Sequence, residues 1–204
     1  MEVDKIPEPP RFKHSIHEDW GCAASYFKEN LERIRRVLEV KEKSREEGDA
    51  FISRQMLEFS AVLLVSALEG YCFEKLREIT GKEPEQDYSK YFPTGWIRAF
   101  RELAGIEMLK VRPKAEPEDS RKLRKMEILA EKRHCIIHWN SKVSPRRRGM
   151  LKQEVAIGAK IPLDDAEIVQ VMEIMKECVL KVENRYPSRV EWGKEGLRWL
   201  TTDS

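Results

Sequence analysis

An all-α bundle of four to five helices, with a short extended arm before the last long helix, is the fold this sequence predicts. Three observations predict it. Apolar residues recur at spacings of three and four through successive long segments, which is the helical period. The charged fraction is 36%, against roughly 25% in an average globular chain, and long solvated helices account for the excess. There is no internal repeat and no sustained heptad run, so a solenoid and a coiled coil are both excluded. At 204 residues the chain is long enough for one domain with a sizeable core.

Residues 1–17 carry Pro7, Pro9 and Pro10 and little that packs, so they read as a loose lead-in to a helical domain over 18–186. The first helix is expected from about Trp20 to Glu47, on a narrow stripe of Phe27, Leu31, Ile34 and Leu38. Gly48 breaks it, and Asp49 is placed to cap a second helix over Ala50–Thr80. In FSAVLLVSALEGYCF nearly every face of that helix is apolar, which makes it the central element, and small Ser66, Ala67 and Gly70 allow close approach of another helix. A third, shorter helix is expected over Gly95–Lys110. Asp119 or Ser120 is placed to cap a fourth, SRKLRKMEILAEKRHCIIHWNSKV, with Leu123, Met126, Ala130 and Ile137 on its stripe. SPRRRGM ends it, and EVAIGAKIPL, too short for a helix, is the extended arm. Leu163, Asp164 and Asp165 begin a fifth helix, whose acidic start suits the helix dipole, and Pro187 closes it before a C-terminal tail over 187–204.

Lysine and arginine (38) nearly cancel aspartate and glutamate (36), so no global field draws a polyanion and any such attraction must be local. Cys22, Cys72, Cys135 and Cys178 lie far apart within helical patterns and read as reduced core thiols, not as metal ligands. The N-terminus lacks a basic start followed by an apolar run, and no stretch of about 18 consecutive apolar residues occurs. A cytoplasmic protein without a membrane partner is the expectation.

The stretch RHCIIHWN, residues 133–140, concentrates the chemistry. His134 and His138 are four apart and share a helix face, while Arg133 and His138 diverge by about 140° around an ideal helix. Arginine has the reach to bridge that angle near a helix end and offers a fork of donors suited to phosphate. His138 can gain or lose a proton near neutral pH. Together they would supply a phosphate clamp and an acid–base group for RNA cleavage by the neighbouring 2′-hydroxyl, with no metal or other cofactor. The plainer alternative is a partly exposed arginine and a histidine bonded to a carbonyl at the end of the bundle. A zinc pair at His134 and His138 lacks the Glu of H-E-x-x-H and a third ligand.

R-H-x-x-x-H near the end of a late helix resembles the signature of the HEPN domains (higher eukaryotes and prokaryotes nucleotide-binding), an Arg separated by four to six residues from a His. Arg133 matches the arginine, His134 the polar position after it and His138 the histidine. SALEGYCFEKL in the second helix is similar to that family's long helix in its toxin-like and defence-associated branches. The resemblance spans roughly residues 20 to 186, although its specific part is eight residues plus the helix order. It implies a helical bundle, a homodimer that brings the motif helices together, and a metal-independent ribonuclease. Arg133 and His138 would then be the catalytic pair, with His134 supporting them. Glu69, in ALEGY, would approach the site, or would serve as an ordinary salt-bridged helix residue.

One branch pairs with an antitoxin that modifies a tyrosine two residues after the motif histidine; this chain has Asn140 there. Asn140 would instead help end the helix or bond substrate. The run Arg146, Arg147 and Arg148 reads as a solvated loop or, beside a dimeric cleft, as an RNA-holding strip. Trp139 reads as packing, or as a platform for a base. Two functions follow: an endoribonuclease in a toxin–antitoxin or antiphage setting, with RNA and an antitoxin or defence-system protein as partners, or a non-catalytic HEPN-like module that binds RNA, nucleotide or protein.

Overall fold

A computed structural model describes residues 23–85, 88, 92–110, 117–143 and 156–188. They form five α-helices: α1 (Ala23–Glu46), α2 (Ala50–Thr80), α3 (Thr94–Ala104), α4 (Pro117–Trp139) and α5 (Asp165–Arg185). Among the described residues there is no strand. The expected lead-in, most of the C-terminal tail and Arg146, Arg147 and Arg148 lie outside the described residues.

The α1–α2 hairpin turns on Gly48 at φ 81°, a conformation that side chains resist. Asp49 then caps α2, its carboxylate accepting from the Ile52 N–H at 2.9 Å. Left-handed Gly81 closes α2, its N–H donating to the Arg77 carbonyl. Because α2 packs against each of the other four helices, it has no single polar face. Its composition and length would by themselves allow a membrane crossing, yet its apolar window is 56% buried inside the bundle, as in a core helix. Phe27, Leu64, Leu68, Tyr71, Leu76, Phe100, Leu129 and Val179 form the heart of the main core.

Three expected helix boundaries move, and each has a local cause; the fourth helix, expected to reach Val143, ends at Trp139 because Asn140 and Ser141 take positive φ. The helix expected over Gly95–Lys110 stops at Ala104, because Gly105 takes φ 65° and Ile106 donates back to the Phe100 carbonyl at 3.1 Å. Ile106, Met108 and Leu109 then enter the core as irregular chain, so their apolar spacing mimicked a helix. The fourth helix starts at Pro117 and not at an Asp119 or Ser120 cap; proline suits a first helical position, and Asp119 instead accepts from the Lys110 N–H at 3.0 Å. The fifth helix begins where expected, and Asp164 caps it by accepting from the Glu167 N–H at 2.8 Å.

The expected extended arm, residues 154–163, is described from residue 156 on. Within 156–163 there is only an isolated antiparallel bridge, Lys142 with Lys160, made by Val143 N–H to the Ala159 carbonyl and Ile161 N–H to the Ser141 carbonyl. Gly158 takes φ 83° just before the bridge, its N–H donating to the Val143 carbonyl at 3.0 Å. Cys135, Val143 and Ile161 make a second, small apolar cluster beneath this bridge. Arg54 ties it to α2 by donating to the Ile161 carbonyl at 2.8 Å.

A buried polar network locks α2 to α5. Lys75 and Glu183 are each 1% exposed and pair at 3.0 Å. Tyr71 donates to the same carboxylate at 2.8 Å, and the Ser188 N–H and hydroxyl donate to its other oxygen at 2.9 Å. Lys75 donates also to the Ser188 hydroxyl at 2.8 Å and to Glu78 at 3.2 Å, and Glu78 accepts from the Ala23 N–H that begins α1. With so many partners the buried charges are compensated.

Candidate functional site

The last turns of α4 run beside α2, and adjacent cations fix the rotation of α4. Lys132, 3% exposed, turns inward to Glu167 on α5. Arg133, one residue on and about 100° around the helix, turns to Glu69 on α2. The two arms make α4 resist rolling in either direction.

Arg133 is held loosely. Its Nη2 stands 3.5 Å from one Glu69 carboxylate oxygen, a long single contact, with the side chains 31% and 23% exposed. Its Nε is buried and has no hydrogen-bond partner among the described residues. An orphaned buried donor costs on the order of 1–3 kcal/mol. The guanidinium therefore rests in a position that uses little of its donor fork.

His134 and His138 stand ring to ring, centroids 4.6 Å apart and planes tilted by 46°, as an i, i+4 pair on one helix face must. His134 is half-buried and His138 exposed. No hydrogen bond joins Arg133 to His138 among the described residues, in keeping with their divergent directions on the helix. Nor is there, among those residues, a group of three His, Cys, Asp or Glu side chains arranged to hold a metal, so the histidine pair gains no third ligand there.

Asn140 ends α4. It takes φ 49° and Ser141 takes φ 60°, two consecutive left-handed residues that turn the chain sharply, with the Ser141 N–H donating to the Cys135 carbonyl at 3.1 Å. Asparagine tolerates that conformation better than most residues. Trp139 and Ile137 remain about half exposed beside the motif.

Tyr26 was not anticipated from the sequence. Its ring lies over Gly70, where an added Cβ would stand only 2.5 Å from the Tyr26 Cε1 atom. The glycine in an otherwise bulky helix is the signal that something large comes close. Tyr26 thus walls the α1 side of the position next to Glu69, as Arg133 walls the α4 side. Burial raises the Glu69 carboxyl above the ordinary carboxylate range, with Arg133 pulling partly the other way. Burial likewise raises the Tyr26 phenol, Arg33 opposes it, and Glu74 and Glu69 add to it. The phenol stays a donor at neutral pH.

Along α2, Leu63, Phe59, Met56 and Ile52 recur at spacings of four, three and four and so share one face of the helix. Phe59 and Ile52 are exposed, as are Val40 on α1 and Ile137 on α4.

No family model, no curated protein and no solved structure matches this chain.

Proposed function

We propose that this protein is an endoribonuclease of HEPN type, acting as a homodimer in a toxin–antitoxin or antiphage setting and cleaving RNA without a metal. The 2′-hydroxyl of RNA attacks the adjacent phosphorus as His138 moves protons, and the 5′-oxygen leaves. The products are a 2′,3′-cyclic phosphate and a 5′-hydroxyl. Arg133 offsets the charge that grows on the phosphoryl oxygens. Arg146, Arg147 and Arg148 follow the motif in sequence and would hold the RNA backbone.

The observation that carries this reading is an exposed His138 in the same last turns of α4 as an Arg133 that, among the described residues, makes one long contact. Arg133 and His138 diverge within one subunit, so a groove between two copies would let both reach one phosphate. Ile137 and Trp139, exposed apolar side chains within the motif, are what a second copy would cover there. The test is RNA incubated in EDTA with wild type, Arg133→Ala and His138→Ala. Metal-independent cleavage lost in both variants is the expected result; cleavage that persists in both overturns it. The second reading, a non-catalytic binding module, draws on the pairing of Arg133 with Glu69, and it predicts RNA binding without cyclic-phosphate products.

A further inference from the structure

We propose that Glu69 is a built-in competitor for the anion that Arg133 receives, so that a phosphodiester binds by displacing the Glu69 carboxylate from the guanidinium. The inference rests on the reading that Arg133 contacts RNA phosphate. It assigns Glu69 a part opposite to that of a helper: its charge weakens binding.

Three features of the site support this. The contact is one-toothed and long, 3.5 Å from a single carboxylate oxygen, whereas a phosphate can engage two arginine donors at once through charge-assisted bonds. Arg133 Nε has no partner among the described residues in its parked position, so an outward swing gives that donor the chance of one. Both side chains remain partly exposed, so an anion can reach the pair from solvent.

The displaced carboxylate also has somewhere to go chemically. The groups facing it are Tyr26 from α1, Arg133 from α4 and Cys72 one turn along α2; Arg33 and Glu74 act on Tyr26 from beyond. Once Arg133 leaves, neither of the two remaining groups, Tyr26 and Cys72, is a cation. Burial already raises the Glu69 carboxyl, so loss of the Arg133 charge and arrival of the phosphate raise it further and favour proton uptake. Anion binding and proton uptake are thereby linked.

The experiment measures anisotropy of a short fluorescent 2′-O-methyl RNA, which cannot be cleaved by 2′-hydroxyl attack, with the full chain at low salt. Glu69→Gln should tighten binding by about twofold to fivefold, the range expected for removing a partly exposed ion pair. Glu69→Ala should tighten it likewise, Glu74→Gln should not, and the gain should vanish in Glu69→Gln/Arg133→Ala. Unchanged or weaker binding by both Glu69 variants overturns the inference, as does a gain that survives in the double variant, since the effect would then be a general loss of negative charge. Arg133→Ala binding as tightly as wild type overturns the functional reading itself, and so does an absence of binding by every form. Loss of affinity in Arg133→Ala without a gain in Glu69→Gln overturns the inference alone.

Discussion

Replacing Lys75 with methionine keeps the length of the side chain and removes its charge from a position that is 1% exposed. Glu183, equally buried, then loses its cation and keeps the Tyr71 hydroxyl together with the Ser188 N–H and hydroxyl. Breaking one side of a buried pair costs about 3–5 kcal/mol, and three surviving donors place this case near ~3 kcal/mol. For a domain of this size that corresponds to a fall in Tm of roughly 6–12 °C. Glu183→Gln should cost less, because Lys75 retains Glu78 at 3.2 Å and that carboxylate reaches solvent. Lys75→Met/Glu183→Leu should recover much of the loss, since an apolar pair of similar volume needs no compensation. Urea unfolding followed by circular dichroism measures all three. The reasoning is refuted if Lys75→Met lies within about 1 kcal/mol of wild type, or if the double variant is worse than the sum of the single ones.

Gly70→Ala forces its new methyl into the Tyr26 ring and should displace that ring, costing about 1–3 kcal/mol, and Tyr26→Ala in the same background should relieve most of it; unfolding free energies from a double-mutant cycle check the coupling. Asp164→Ala and Asp49→Ala each remove a side chain that bonds an N-terminal helix N–H, and each should cost about 1 kcal/mol in urea unfolding; a loss in neither would show that the caps carry no weight. The raised Glu69 carboxyl means that the folded chain holds this proton more tightly than the unfolded one, so its favourable contribution is present below the ordinary Glu value near ~4.3 and lost as pH rises through the folded value. Glu69→Gln should therefore gain in Tm relative to wild type as pH is raised from acid to neutral, and a difference that is flat or shrinks with pH contradicts the assignment.

The parts of the fold that could be read from the sequence were those set by local chemistry. Asp49 and Gly81 bound α2 because a capping carboxylate and a left-handed glycine act within a few residues of themselves. The same local rule, applied to Gly105, would have ended α3 correctly; the apolar spacing of Ile106, Met108 and Leu109 outweighed it, although tertiary burial and not helical period put those residues inside. Lys75 and Glu183 look like solvated helix charges in the sequence, and nothing local reveals that α2 and α5 meet there. Arg133 and His138 stood out by residue type and resemblance, and Glu69 by resemblance alone. The ring of Tyr26 over Gly70 depends on how α1 and α2 cross, which no spacing along either helix encodes.

The buried cysteines give the chain an internal clock for its own opening. Cys72 on α2 and Cys178 on α5 face each other in the main core, and burial drives both thiols up, Cys178 to about 12, so neither reacts while the helices stay together. Cys135 sits apart, with Val143 and Ile161, under the chain that leaves the motif. In a chain with Cys22 replaced by serine, the rate at which a thiol reagent captures Cys135 would time excursions of the motif end, while capture of the Cys72 and Cys178 pair would time global unfolding. Equal rates would make the bundle one cooperative unit; faster capture at Cys135 would mean that the helix end carrying Arg133 and His138 breathes on its own.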